Sequence, residues 1–146
     1  MFKLFKIFLV ITFLINVLNF SYSKEDFYKE GVKLFKKKKY DEAKFLFERN
    51  IVFNPKHSES YLYLAKIYNN KEDQKSEKKN LETTLLIDPT NEQAILMLMK
   101  IGLKKTNYSQ VKKLSEKFFK VCVELCDENK KILEELENLE PKDNES

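Results

Sequence analysis

The sequence has no tryptophan, two glycines, three prolines, two cysteines and one histidine among 146 residues. So few backbone breakers exclude a β-sandwich or a barrel, which need glycine- and proline-rich turns between many short strands. They exclude collagen-like and linker-like chains as well. Gly31 and Gly102 alone cannot build a glycine-rich phosphate loop. The single histidine, His57, belongs to no Ser–His–Asp signature, and no metal-binding helix motif is present. No catalytic, cofactor-binding or metal-binding residue is therefore assigned, and no enzymatic activity is expected. Arg49 is the one arginine among 27 basic residues, a bias that fits AT-rich coding better than chemistry.

What is present points to helices. Apolar residues make up 42% of the chain and phenylalanine occurs twelve times, which argues against disorder. Charged residues are 34%, mostly Lys and Glu, as solvated helix faces require. The length suits one small domain.

The first 23 residues differ from the rest. Lys3 and Lys6 form a positive start, and Ile7 to Leu18 is apolar apart from Thr12 and Asn16. Ser21-Tyr22-Ser23 then places small residues at −3 and −1 of a cleavage site. This is the layout of a secretory signal peptide, and the run is shorter than the ~20 apolar residues of a spanning helix. The expectation is export to a periplasm or the exterior, with the mature chain starting at Lys24. The alternative is a chain anchored in a membrane through uncleaved residues 7–20. No cysteine near the run permits lipoprotein acylation. Beyond it, residues 24–123 carry 22 basic and 14 acidic side chains, a net +8, while residues 124–146 carry 3 and 9, a net −6. A basic body with an acidic end can attract an acidic partner or fold on itself.

Apolar clusters recur in pairs. Phe27, Gly31, Leu34 and Phe35 form one helical stripe, and Ala43, Leu46, Phe47, Asn50 and Ile51 form a second. Lys36 to Tyr40 is the turn between them, and Asn54-Pro55 ends the second helix. The pattern restarts 34 residues later, with Tyr61 for Phe27, Ala65 for Gly31, Tyr68 for Leu34, Leu81 for Phe47 and Asp88-Pro89 for Asn54-Pro55. A degenerate third unit follows: Ile95, Leu98 and Met99, then Val111, Leu114 and Phe118. In it Gly102 takes a place where a large side chain is usual, and no proline closes the unit. Glu77 stands where Ala43 stands in the first unit, which predicts either a splayed helix pair or a Glu77 turned outward. Asp127 is the expected N-cap of a last helix whose stripe is Ile132, Leu133, Leu136 and Leu139.

The period of 34, with Gly31, Tyr40, Ala43, Phe47 and Pro55 and then Tyr61, Leu64, Ala65, Tyr68, Leu81 and Pro89, resembles the tetratricopeptide repeat. The expected fold is an all-α solenoid of about three repeats with a C-terminal capping helix that closes the core. Its parts are residues 1–23 as signal, repeats at 24–57, 58–91 and 92–125, a cap at 126–140 and a polar tail at 141–146. The resemblance implies a protein or peptide partner held in a concave groove lined by the first helix of each pair. Carried onto this chain, the groove residues are Tyr28, Val32 and Phe35, then Leu62, Lys66 and Asn69, then Leu96, Lys100 and Leu103. Val32 departs from versions that clamp a terminal carboxylate, so an apolar or amphipathic segment is the expected ligand. The implied role is an exported scaffold or envelope assembly factor. The alternatives are a membrane-anchored regulatory subunit of an envelope enzyme complex, or a polyanion binder.

Two features stand apart from the repeat. The lysine run 36–39 suggests a polyanion, but it sits in a helix-ending turn, and export removes the chain from most nucleic acid. Cys122 and Cys126 are the only cysteines. A disulfide is possible in an oxidising compartment if the chain bends there, two buried thiols are the other reading, and two cysteines with no nearby histidine make a poor metal site.

Overall fold

The computed structural model describes residues 24–140; the signal expected at 1–23 and the tail expected at 141–146 lie outside the described residues. Seven helices and no strand occur among them: α1 (Lys24–Lys36), α2 (Tyr40–Phe53), α3 (Ser58–Asn70), α4 (Gln74–Ile87), α5 (Glu92–Lys104), α6 (Tyr108–Phe119) and α7 (Cys126–Leu139). They pack as successive hairpins, α1 on α2, α3 on α4 and α5 on α6, each against the next, with α7 across α5 and α6.

The turns inside the hairpins are one device used three times. Lys38, Glu72 and Thr106, each 34 residues apart, adopt left-handed φ values of 60°, 57° and 52°. The next N–H donates back across the helix end: Lys39 to the Leu34 carbonyl (3.0 Å), Asp73 to Tyr68 (3.0 Å) and Asn107 to Gly102 (2.9 Å). That is a Schellman closure, which satisfies carbonyls the helix end leaves open. The same residues begin the second helices. Asp73 accepts from the Ser76 N–H and Asn107 from the Gln110 N–H, whereas Lys39 makes no side-chain cap. Between hairpins, His57 Nδ1 accepts from the Ser60 N–H at 3.2 Å, and Asn91 accepts from the Ala94 N–H at 3.0 Å. His57 is thus a helix cap in a turn.

The interior divides into three linked clusters, each joining one hairpin to the next. The first holds Ala43, Phe47, Leu64 and Ile67; the second Leu62, Ala65, Leu81, Ala94, Leu98 and Ile101; the third Ile95, Leu96, Met99, Leu103, Val111 and Phe118 with Ile132 and Leu136 of α7. Nearest-neighbour burial of this kind is how solenoids stand without a central core. Glycine earns its place twice. A Cβ on Gly31 would sit 2.9 Å from the Phe47 ring, and one on Gly102 would sit 2.7 Å from Val111 Cγ2. The unusual glycine of the third hairpin therefore makes room for a valine where the first has Ala43.

α7 takes the place of a fourth first helix. Asn129, Ile132 and Leu136 stand 34 residues after Ile95, Leu98 and Gly102, and all three are buried. Asn129 has no hydrogen-bond partner for either amide atom. Asp127 is not the N-cap. α7 starts at Cys126, two residues earlier than a cap at Asp127 would set it, its cap position Leu125 offers no side-chain acceptor, and Asp127 pairs with Lys130 instead. The preceding connector is held from a distance: the Glu92 carboxylate accepts from the backbone N–H groups of Val123 (2.7 Å), Glu124 (3.2 Å) and Leu125 (2.7 Å). Burial pushes the Glu92 carboxyl up, and these N–H groups outweigh it, leaving it below its usual value. Cys122 and Cys126 are disulfide-bonded across this connector, with Cα atoms 5.4 Å apart. They do not share a helix, because α6 ends at Phe119.

Candidate functional site

The first helices α1, α3 and α5 border a cavity of about 510 Å³. Phe35 comes from α1, Lys66, Asn69 and Asn70 from α3, and Met97, Lys100, Ile101, Leu103 and Lys104 from α5. Glu77 of α4 and Glu135 of α7 complete the wall. Of the nine groove residues expected from the sequence, Phe35, Lys66, Asn69, Lys100 and Leu103 reach this cavity.

The apolar strip expected along the groove is not there. Leu62, Leu96 and Leu103 are buried, at 2%, 6% and 5% exposure. Leu62 joins the cluster between the second and third hairpins. Leu96 and Leu103 share a cluster with Ile132 and Leu136 of the last helix. The reason is geometric. Stacking turns one flank of each first helix onto the next first helix, so a side chain beside the inner face is spent on packing. Tyr28, Val32 and Phe35 are half-buried against the first cluster. Tyr28 leans on His57 (4.5 Å between ring centres), Tyr63 (5.9 Å) and Phe47 (6.0 Å), within the range of favourable ring pairs. Burial, with the Glu59 carboxylate and Tyr63 adding, pushes its phenol up to about 12.

What lines the cavity is mixed and basic. Lys66 is half-buried; its ammonium donates to Gln93 Oε1 at 2.5 Å and lies 4.7 Å from the centre of the Tyr63 ring. Burial pushes that ammonium down, against the opposing pull of Glu59. Lys100 and Asn69 are exposed. None of the ion pairs among the described residues involves Lys66, Lys100 or Lys104.

Glu77 answers the sequence expectation with neither proposed outcome. The hairpin is not splayed and the side chain is not turned out. Glu77 is 4% exposed, and Asn69 Nδ2 donates to its Oε1 at 2.9 Å. Burial raises its carboxyl, against the Asn69 hydrogen bond and the nearby Lys104 charge. The sequence offered one sign of this: Asn69, the last residue but one of α3, faces a helix start that lacks alanine.

No group of three or more His, Cys, Asp or Glu side chains able to hold a metal occurs among the described residues. No helix among them is long and apolar enough to cross a membrane.

No family model matches the sequence, and a search of curated protein sequences returns no match. Solved structures do match in shape. The type III secretion chaperone SycD of Yersinia enterocolitica, in complex with a peptide of the translocator YopD, superposes with a TM-score of 0.69 over 79% of this chain and 90% of that one, at 13% identity. The Sgt2 TPR domain of Aspergillus fumigatus gives 0.66 over 84% and 87%, at 16% identity. The first TPR of Spaghetti (RPAP3), bound to the HSP90 peptide SRMEEVD, gives 0.65 over 78% and 93%, at 18% identity. Hairpins of 34-residue spacing, three Schellman turns in register and these neighbours together make the described residues an all-α solenoid of the tetratricopeptide type.

Proposed function

We propose that the chain is an exported protein–protein interaction module, a scaffold or assembly factor that holds a segment of a partner protein in the groove between α1, α3 and α5. The observation that carries this reading is the cavity of about 510 Å³ bordered by all three first helices. Its size suits several side chains of a bound segment, and its mix of apolar wall and convergent polar groups is that of a binding site. Two structural neighbours, SycD and the RPAP3 domain, hold peptides. The polar groups of the cavity are lysines, amides and two carboxylates, one of them buried, and no catalytic role is proposed. Export rests on the N-terminal layout of residues 1–23.

Site-specific photo-crosslinking tests the groove. A crosslinking side chain at Lys100, exposed on the cavity wall, should capture a discrete partner, and one at Phe45, exposed on α2, should not. Capture from position 45 alone would move the site to the outer face. N-terminal sequencing of the exported protein should start at Lys24; retained Met1 would mean an anchored chain.

A further inference from the structure

The two edges of the solenoid expose different chemistry. Each hairpin runs out and back, so α2, α4 and α6 all end at one edge, where α3, α5 and α7 begin. The connectors of that edge touch one another in order: Asn91 Nδ2 donates to Glu59 Oε1 at the start of α3 (3.0 Å), and the Glu92 carboxylate gathers N–H groups of the connector before α7. Of the seven large apolar side chains that stand exposed among the described residues, five are here. Val52 and Phe53 end α2, Leu86 is the last residue but one of α4, Phe119 ends α6, and Val123 follows in the connector. Val52, Leu86 and Val123 are 76%, 82% and 84% exposed, so the packing of the solenoid does not use them. The opposite edge carries the lysine run 36–39, Lys71 and Lys105, with Leu139 as its exposed apolar side chain.

The apolar edge is also where the chain enters. α1 starts at Lys24, and Phe27 in its first turn stacks on Phe53 of α2, with ring centres 5.8 Å apart. The apolar run 7–18 precedes it, and the steps from Leu18 to Lys24 reach at most roughly 20 Å. A bilayer that holds the run during export, whether or not cleavage follows, is therefore within reach of this edge. The opposite edge stands a helix length, roughly 20 Å, further off. The polar groups of the apolar edge allow the contact. Asp88 turns its carboxylate onto the Thr90 N–H (3.0 Å) and hydroxyl (2.8 Å), and Glu92 is held by backbone N–H groups. Lys56 and Lys120 are exposed there beside Glu124, so charge is mixed and the attraction is apolar; lysine stems can lie along such a boundary with their heads in water. The groove cavity lies toward the other ends of α1, α3 and α5, at Phe35, Asn69 and Lys104, and stays open.

We propose that the edge where α2, α4 and α6 end is a membrane-facing surface, whose Val52, Leu86, Phe119 and Val123 enter the headgroup boundary of the bilayer that holds residues 7–18. Exposed apolar rows are usually kept for a partner, and apolar side chains flanked by lysines suit that boundary. The proposal rests on the N-terminal layout and this edge, and is independent of the groove reading.

The probe is a phosphatidylcholine vesicle with brominated acyl chains, which quench a fluorophore that reaches them. The full chain carries one fluorescent side chain, at position 86, 123 or 105; Lys105 is exposed on the opposite edge. Emission should fall at 86 and 123 and hold at 105. With the label at 86, adding Val52→Ser and Val123→Ser should lower the quenching at least about twofold, because interfacial binding scales with the apolar area buried. Both side chains are exposed, so circular dichroism should not change. No quenching at 86 and 123 overturns the proposal, and so does equal quenching at 105. Quenching at 86 that survives both serine changes means that the tether alone brings the edge close, which overturns it as well. Quenching at 105 that exceeds that at 86 once anionic lipid is added assigns the contact to the lysine-rich edge and overturns it too.

Discussion

The first and third hairpins meet the same packing problem with the small and large residues exchanged. In the first, Gly31 precedes Leu34 on α1, and Ala43 precedes Phe47 on α2; the glycine lies under the Phe47 ring. In the third, the equivalent residues are Met99 and Gly102 on α5, then Val111 and Ser115 on α6, and the glycine lies against Val111. Small-then-large has become large-then-small on α5 and again on α6, so the residue that yields to its neighbour has moved from α1's earlier position to α5's later one. Met99 and Val111 are fully buried. A close-packed interior constrains how much space two helices share, and leaves open which partner yields. The second hairpin solves the problem a third way, with a buried Glu77 and an amide to receive it.

Moving the second hairpin's solution into the first should have the largest effect. Phe35 stands where Asn69 stands, so Ala43→Glu buries a carboxylate with no donor and overfills a site of zero exposure. A loss of about 4 kcal/mol in urea unfolding is expected. Adding Phe35→Asn should recover part of it, and no recovery would mean that the Asn69 bond is not what makes Glu77 tolerable. Restoring the large residue of the third hairpin comes next. Gly102→Leu should cost about 3 kcal/mol through overpacking. Val111→Ala, destabilising alone because it opens a cavity, should stabilise that variant, and a simple sum of the two losses would break the exchange argument.

A smaller gain should come from the first hairpin's missing cap. Lys39→Asp gives α2 the acceptor that Asp73 and Asn107 give α4 and α6, and is expected to raise stability by about 1 kcal/mol. An unchanged melting temperature would show that the Schellman turn alone suffices there. The smallest effect is in pH. The Glu77 carboxyl is raised from 4.5 in the folded chain, so folding favours its protonated form. The stability of the native chain relative to Glu77→Gln should therefore be greatest below 4.5 and fall as pH rises above it. Glu92 runs the other way. Its carboxyl is lowered, so its contribution is present above 4.5 and is lost as pH falls below it. Finding the same sign for Glu77→Gln and Glu92→Gln differences would contradict one of the two environments.

Local chemistry was legible from the residues alone. Helix positions follow from the 3.6-residue stripes, and the breaks follow from Pro55, Pro89 and the polar turns, because each depends on interactions within a few residues. The 34-residue register could be read through low identity, since Phe27, Tyr61 and Ile95 share a size class and a role. The last helix was legible from its stripe for the same reason. The groove was less so. Lys66, Asn69 and Lys100 lie on the cavity wall, but Leu62, Leu96 and Leu103 are buried, because their exposure depends on the angle at which one hairpin stacks on the next. Glu77 looked like a misfit until Asn69 was seen within hydrogen-bond reach. The start of α7 was set 33 residues upstream of Leu125, by the Glu92 carboxylate that gathers three N–H groups of the connector. Sequence periodicity carries what a helix and its turn need. Which flank faces a neighbour, which carboxylate finds a donor and where the chain bends between α6 and α7 are settled by contacts between residues some 30 positions apart, and those exist only once the hairpins have stacked.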